Sequence, residues 1–289
     1  AGLRLLVVED NKINQMVAKG LLSQEGADVT LADDGQLGVN AVAAAQPPFD
    51  VVLMDVQMPV MDGYLATRTI RQELGLTALP IVAMTANAMA SDRAACLAVG
   101  MNDHVGKPFE LDGLVALLQS LVGGVRAVES PVSAPDAAPP PAPHGMDLAA
   151  ALERMGGDTR LFARAIHGFA DDLGRFPAQV QALLAQGDAP AAWRSLHTLK
   201  GLAGTVGMVD VARGLAELEA QHKKLPPSAA AALPATLLAV LQPLVDDTLR
   251  ALEPVLQRYP RQESGPVVEP VALDAARLTA DLRALCALR

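Results

Sequence analysis

Residues 51–63 read Val-Val-Leu-Met-Asp-Val-Gln-Met-Pro-Val-Met-Asp-Gly. Four apolar residues run into a lone carboxylate, Asp55, and the chain then breaks at Pro59 and Gly63. A short apolar run bounded by turn residues reads as a buried strand, Val51–Met54, with Asp55 at its end. Outward from this stretch the pattern recurs. Leu3–Val8 runs into Glu9-Asp10, Ile81–Met84 into Thr85, and Asp103–Val105 leads to Lys107-Pro108; a further run is Ala27–Leu31. Between and after these runs lie helical patterns at Lys12–Gln24, Gly35–Ala45, Tyr64–Glu73, Ser91–Val99 and Leu111–Leu121. Five strand–helix units predict an α/β, doubly wound, five-stranded parallel sheet with right-handed crossovers.

Strand ends on one edge of a parallel sheet converge. Glu9, Asp10, Asp55, Thr85 and Lys107 should therefore meet. Three carboxylates at close quarters repel, and each raises the others' proton affinity unless a cation intervenes. Hard oxygen donors with room for water and phosphate favour Mg²⁺. With the charge screened, an Asp oxygen can attack phosphorus. Thr85 can donate to a phosphoryl oxygen, and Lys107 can supply positive charge to the same group. Singly, each residue has an ordinary reading as a helix cap, turn or surface charge. Together those readings require five coincidences at one sheet edge.

Residues 3–122 resemble the receiver domain of bacterial response regulators, a flavodoxin-like fold. The resemblance rests on Val-Glu-Asp-Asn (8–11), Leu-Met-Asp-Val-Gln-Met-Pro-Val-Met-Asp-Gly (53–63), Met-Thr-Ala-Asn-Ala (84–88) and Lys-Pro-Phe (107–109). It implies that Asp55 is the phosphoacceptor. It implies that Glu9 and Asp10 serve Mg²⁺, with Asp10, Asp55 and the backbone carbonyl of Gln57 as direct ligands. It also implies a cis Lys107–Pro108 bond. His104 stands where the family often carries Tyr or Phe, which leaves a rotamer switch with Thr85 open.

Residues 123–145 are rich in Pro and Ala without apolar periodicity and read as a linker. Residues 146–258 show only helical patterns: Asp147–Arg154, Thr159–Asp172, Pro177–Gln186, Ala189–Val206, Val209–Lys223 and Ala229–Gln257. These predict an all-α helical bundle. Residues 259–289 include a Leu-spaced stretch, Leu273–Arg289, that either packs on the bundle or begins another module.

Within the bundle, 196–208 read Leu-His-Thr-Leu-Lys-Gly-Leu-Ala-Gly-Thr-Val-Gly-Met. At 3.6 residues per turn His197, Lys200, Gly201 and Gly204 share one face, while Leu196, Leu199, Ala203 and Val206 share the core face. Glycine inside a helix costs about 1 kcal/mol relative to Ala. Two beside one histidine read as clearance, so that His197 stands proud and Lys200 steadies a phosphoryl charge; tight helix packing is the plainer reading. Trp193 either borders that surface or fills the bundle edge, and His144, His167 and His222 read as structural or solvent-exposed. The pattern is similar to histidine-containing phosphotransfer (Hpt) domains. By that resemblance His197 is the phosphotransfer histidine, through Nε2; spacing alone does not choose the nitrogen.

The net charge is −9, and seven of those charges fall within residues 1–122. No basic stripe marks a nucleic-acid surface. No apolar run approaches the ~20 residues of a membrane span, and no leader marks the chain for export. Ala1 in place of Met fits a processed terminus or a piece of something larger. Cys96 and Cys286 match no metal spacing and suit a reducing cytoplasm.

These readings predict a phosphorelay segment, as in the C-terminal part of a hybrid sensor kinase. A histidine kinase, on the same polypeptide or a separate one, would phosphorylate Asp55. His197 would take the group and pass it to a downstream response regulator. No ATP-binding catalytic domain is legible, so no self-phosphorylation is expected. The competing expectations are a binding module switched by phosphorylation with His197 unmodified, and a phosphate sink draining through Asp55.

Overall fold

The computed structural model describes residues 2–85, 90–108, 110–122, 145–223 and 233–261. The expected linker lies outside the described residues save for Gly145, as do 262–289 with the Leu273–Arg289 pattern.

The first half follows the sequence reading closely. Its elements are β1 (Arg4–Val8), α1 (Lys12–Gln24), β2 (Asp28–Ala32), α2 (Gly35–Ala44), β3 (Val51–Asp55), α3 (Gly63–Gln72), β4 (Ile81–Thr85), α4 (Ala90–Ala98), β5 (Asp103–Gly106) and α5 (Leu111–Val122). All five strands are parallel, in the order β2-β1-β3-β4-β5. Strand direction alternates side chains between faces. Leu6, Val8, Val52, Met54, Ile81 and Ala83 enter one apolar core. Leu5, Val7, Val51, Leu53, Val82 and Met84 enter the other. Both faces are covered by helices, which is why these strands read as continuous apolar runs. The order reverses between β1 and β3, and the acids end those two strands.

Helix starts are set by short acceptor side chains. Asn11 caps α1 by accepting from the Ile13 and Asn14 amides. Asp34 and Asp62 cap α2 and α3 in the same way. The acids nearest the site thus divide into caps and a separate cluster.

The second half comprises α6 (Leu148–Arg154), α7 (Thr159–Ala185), α8 (Ala189–Thr205), α9 (Val209–Lys223) and α10 (Leu233–Arg258). One expectation is corrected here. Thr159–Asp172 and Pro177–Gln186 are not two helices; Pro177 lies inside the single helix α7. A proline in a helix interior removes a hydrogen bond and costs roughly 3 kcal/mol. Phe169, Leu173, Phe176 and Val180 form one buried stripe across it, and each such side chain recovers about 1.5–3 kcal/mol.

The two halves pack together. Ile13, Val17 and Leu21 of α1 belong to the same buried cluster as Leu161, Ala165 and Phe169 of α7 and Leu202 of α8. Gln24 Nε2 donates to Asp158 Oδ2 at 3.2 Å across the contact. Among the described residues, no helix is long and apolar enough to cross a membrane.

Candidate functional site

The end of β1 carries Glu9 and Asp10, the end of β3 Asp55, and the end of β4 Thr85; Lys107 follows β5. One carboxylate oxygen from each of Glu9, Asp10 and Asp55 lies within 4.8 Å of the others. Glu9, Asp55 and Thr85 are buried. Lys107 lies between two of the acids, its Nζ 2.5 Å from Glu9 Oε2 and 2.7 Å from Asp55 Oδ2. Asn14 Nδ2 holds the other Glu9 oxygen at 2.9 Å. The Gln57 amide donates to Asp55 Oδ1 at 3.2 Å. The Lys107 amide donates to the Thr85 carbonyl at 2.6 Å, which ties the loop after β5 to the end of β4. The Lys107–Pro108 bond is cis.

Gly63 explains the Asp-Gly that closes the loop. A Cβ there would stand 2.2 Å from the Asp55 carbonyl oxygen, so only glycine lets α3 begin against the end of β3.

The electrostatics follow from crowding. Burial, then the charges of Glu9 and Asp55, push the Asp10 carboxyl up to about 7, with Lys107 opposing. Burial also raises Glu9, although Lys107 pulls it down. Burial disfavours the Lys107 ammonium, but Asp55 and Glu9 outweigh that and raise it above its ordinary range. Asp10 Oδ1 is buried and has no hydrogen-bond partner among the described residues. Three hard oxygen donors, one of them orphaned, fit a divalent cation such as Mg²⁺.

His197 lies on α8, with Leu196, Leu199, Ala203 and Val206 buried beneath it. It does not stand free, which corrects the expectation. Its Nδ1 is 2.8 Å from Glu219 Oε1 on α9, and its side chain is only 18% exposed. Lys200 is likewise redirected: its Nζ is 2.5 Å from Glu219 Oε2. Glu219 thus bridges the ammonium and the imidazole. Burial opposes ionisation of Glu219, but hydrogen bonds from His197 and Lys200 outweigh it and hold the carboxyl below its usual range. An ionised carboxylate only accepts, so His197 Nδ1 carries a proton, and in the neutral ring the lone pair is left on Nε2.

Glu219 was missed by the sequence reading. Its signal was faint: it stands four residues after Leu215 and eight after Val211, both buried. A charge on that stripe had to meet a partner across the bundle.

Trp193 packs against the bundle core. His167 Nε2 lies 2.8 Å from the Tyr259 carbonyl oxygen. His104 Nδ1 lies 3.5 Å from Asp103 Oδ1.

The packing of the halves brings the two centres face to face. Glu9, Asn14, Asp55 and Lys107 line a small pocket together with His197, Thr198 and Gly201. A Cβ on Gly201 would meet nothing within 4 Å, and one on Gly204 would stand 3.3 Å from Pro108 Cδ.

The description "Response regulator receiver domain" fits residues 5–119. The rice protein (Oryza sativa subsp. japonica) "Two-component response regulator ORR41" is 42% identical over 118 residues, 40% of this chain and 91% of that protein. The chain belongs to the response-regulator receiver family. Behind its receiver domain, the description "Hpt domain" fits residues 164–254. "Sensor histidine kinase GacS" of Pseudomonas protegens is 47% identical over 108 residues, 36% of this chain and 12% of that kinase. "Hybrid signal transduction histidine kinase M" of Dictyostelium discoideum is 39% identical over 121 residues, 41% of this chain and 5% of that protein. The chain thus spans about a tenth of these kinases or less. A solved structure, the receiver domain of sensor histidine kinase PA1611 from Pseudomonas aeruginosa PAO1 with a magnesium ion in its active site cleft, is 46% identical. It covers 43% of this chain and 99% of its own, with a TM-score of 0.39. The order of receiver then Hpt domain is that of phosphorelay signalling.

Proposed function

We propose that the receiver spans residues 1–122 and accepts a phosphoryl group on Asp55, and that the Hpt bundle of residues 146–258 carries it onward on His197. The observation that carries this reading is the shared pocket: Asp55 with Glu9 and Lys107 from one domain, His197 from the other.

Glu9, Asp10, Asp55 and the Gln57 carbonyl are the proposed holders of Mg²⁺. When bound, Mg²⁺ neutralises carboxylate and phosphoryl charge. The remaining roles belong to the chain. Asp55 Oδ attacks phosphorus of a donor phosphohistidine, the N–P bond breaks, and its electron pair returns to the donor ring. Lys107, already against Asp55, counters charge on the transferred group, and Thr85 donates to one of its oxygens. His197 Nε2 then attacks phosphorus, and the P–O bond electrons return to the Asp55 carboxylate. The ring becomes cationic, with Nδ1–H retained, and Glu219 stabilises it. Lys200 keeps Glu219 ionised and oriented. A downstream receiver takes the group from Nε2. We read the segment as cytoplasmic, with a histidine kinase as donor.

Labelled acetyl phosphate with Mg²⁺ should mark Asp55 and then His197. Asp55→Asn should abolish both labels, whereas His197→Gln should retain the base-labile one alone. Label on His197 in the Asp55→Asn chain would overturn the proposal.

A further inference from the structure

Three glycines at the contact between receiver and bundle are each seated against a side chain of the other domain. Gly168 of α7 faces α1, and a Cβ there would stand 2.7 Å from Ile13 Cδ1. Gly20 of α1 faces α7 in the reverse sense, its added Cβ 3.0 Å from Leu161 Cδ2. Gly204 of α8 seats Pro108 at 3.3 Å. Glycine is the poorest helix former after proline, yet three helices carry one at this surface. Gly113 of α5 shows the contrast, because a Cβ there meets nothing within 4 Å. The seats run in both directions, so neither domain is merely a flat platform for the other. Ile13, Val17 and Leu21, spaced along one stripe of α1, sink into the bundle's own buried cluster.

The dock has a consequence for access. Asp55 and His197 line one pocket with only about 10 Å³ of free space, roomy enough for about one water. His197 is 18% exposed with the receiver in place. An outside phosphohistidine must reach Asp55, and an outside receiver must reach His197. Neither can enter while the other domain occupies the seat.

We propose that the glycine-seated contact is a selective docking surface for the chain's own receiver, and that it withholds His197 and Asp55 from outside partners until it opens. The closed form serves only transfer between the two internal sites. The open form serves loading and unloading. Its role in signalling rests on the phosphorelay reading; the closure itself does not.

The test is the reactivity of His197 toward diethyl pyrocarbonate in the full chain, followed by peptide mass spectrometry. Gly168→Leu fills the Ile13 seat while improving helix propensity. Gly20→Leu blocks the contact from the receiver side and leaves the bundle sequence intact. Both should accelerate carbethoxylation of His197 by roughly tenfold or more, as follows if the open form is at most about a tenth of the chain. Ile13→Ala added to Gly168→Leu should restore slow reaction, and Gly113→Ala should change nothing. Wild-type chain reacting as fast as both leucine variants would overturn the proposal, as would equal acceleration by Gly113→Ala. No phosphoryl transfer is involved, so this experiment and the acetyl phosphate labelling fail independently.

Discussion

At the receiver end, two carboxylates share one ammonium with a third acid beside them; at the bundle end, one carboxylate is shared by an ammonium and an imidazole. Lys107 touches both Glu9 and Asp55, while Glu219 touches both Lys200 and His197. The two centres use nearly the same groups in inverse proportion. The receiver site has more carboxylates than cations and an Asp10 oxygen unpartnered among the described residues, an arrangement that could hold a divalent cation. The bundle site is close to balanced and needs none. On the proposed relay, the difference teaches that a group arriving on Asp55 would enter a site that must first be neutralised, whereas a group on His197 would rest beside a counter-charge already in place.

The largest break in that comparison comes from removing divalent metal. With EDTA, labelling of Asp55 by acetyl phosphate should fall by about two orders of magnitude or more, since charge neutralisation by a metal supplies several kcal/mol. Label already on His197 should persist in EDTA. Equal loss at both sites would erase the distinction.

Next in size is Lys107→Ala. It leaves Glu9 and Asp55 buried without their shared cation, a loss of about 3–5 kcal/mol in receiver stability for a broken buried pair. Urea unfolding should show the deficit, and it should shrink as Mg²⁺ is added, because a divalent ion can take over the neutralisation.

Glu219→Gln tests the bundle half. Gln can still contact Nδ1 but no longer demands a proton there or offsets the ring charge. Transfer from Asp55 to His197 should slow roughly tenfold to a hundredfold, the range for losing a group that orients an imidazole. Rapid-quench measurement of the two phosphorylated forms reads the rate directly.

The smallest effect is on acid stability. The fold holds the Glu219 carboxyl below its ordinary value of 4.5. Its stabilisation is therefore complete above that pH and fades as pH falls through the folded value. Denaturant midpoints of the wild-type bundle should drop across that window, and those of Glu219→Gln should drop less.

Much of this molecule was legible along the chain, for a local reason. A strand buried on both faces must be apolar throughout, so Val51–Met54 and Ile81–Met84 announced themselves, and the polar residue ending each run announced the edge. The helix caps Asn11, Asp34 and Asp62 are equally local, although the sequence reading did not single them out. What failed was whatever depended on a partner distant in sequence. Pro177 looked like a break because its cost is local, while the stripe from Phe169 to Val180 that outweighs it is rewarded only by packing. Lys200 looked available because its spacing to His197 is local, while Glu219, which holds it, lies on another helix.

The sequence by itself determined the sheet, the bundle and the identity of the residues that end strands, since periodicity and strand-end chemistry are properties of neighbours a few residues apart. Only the tertiary structure decided that Glu219 meets His197 and that the receiver seats its α1 on α7 and α8, closing Asp55 against the histidine. Those outcomes depend on shape matching and charge pairing between helices far apart in the chain, and no spacing rule encodes how two surfaces meet.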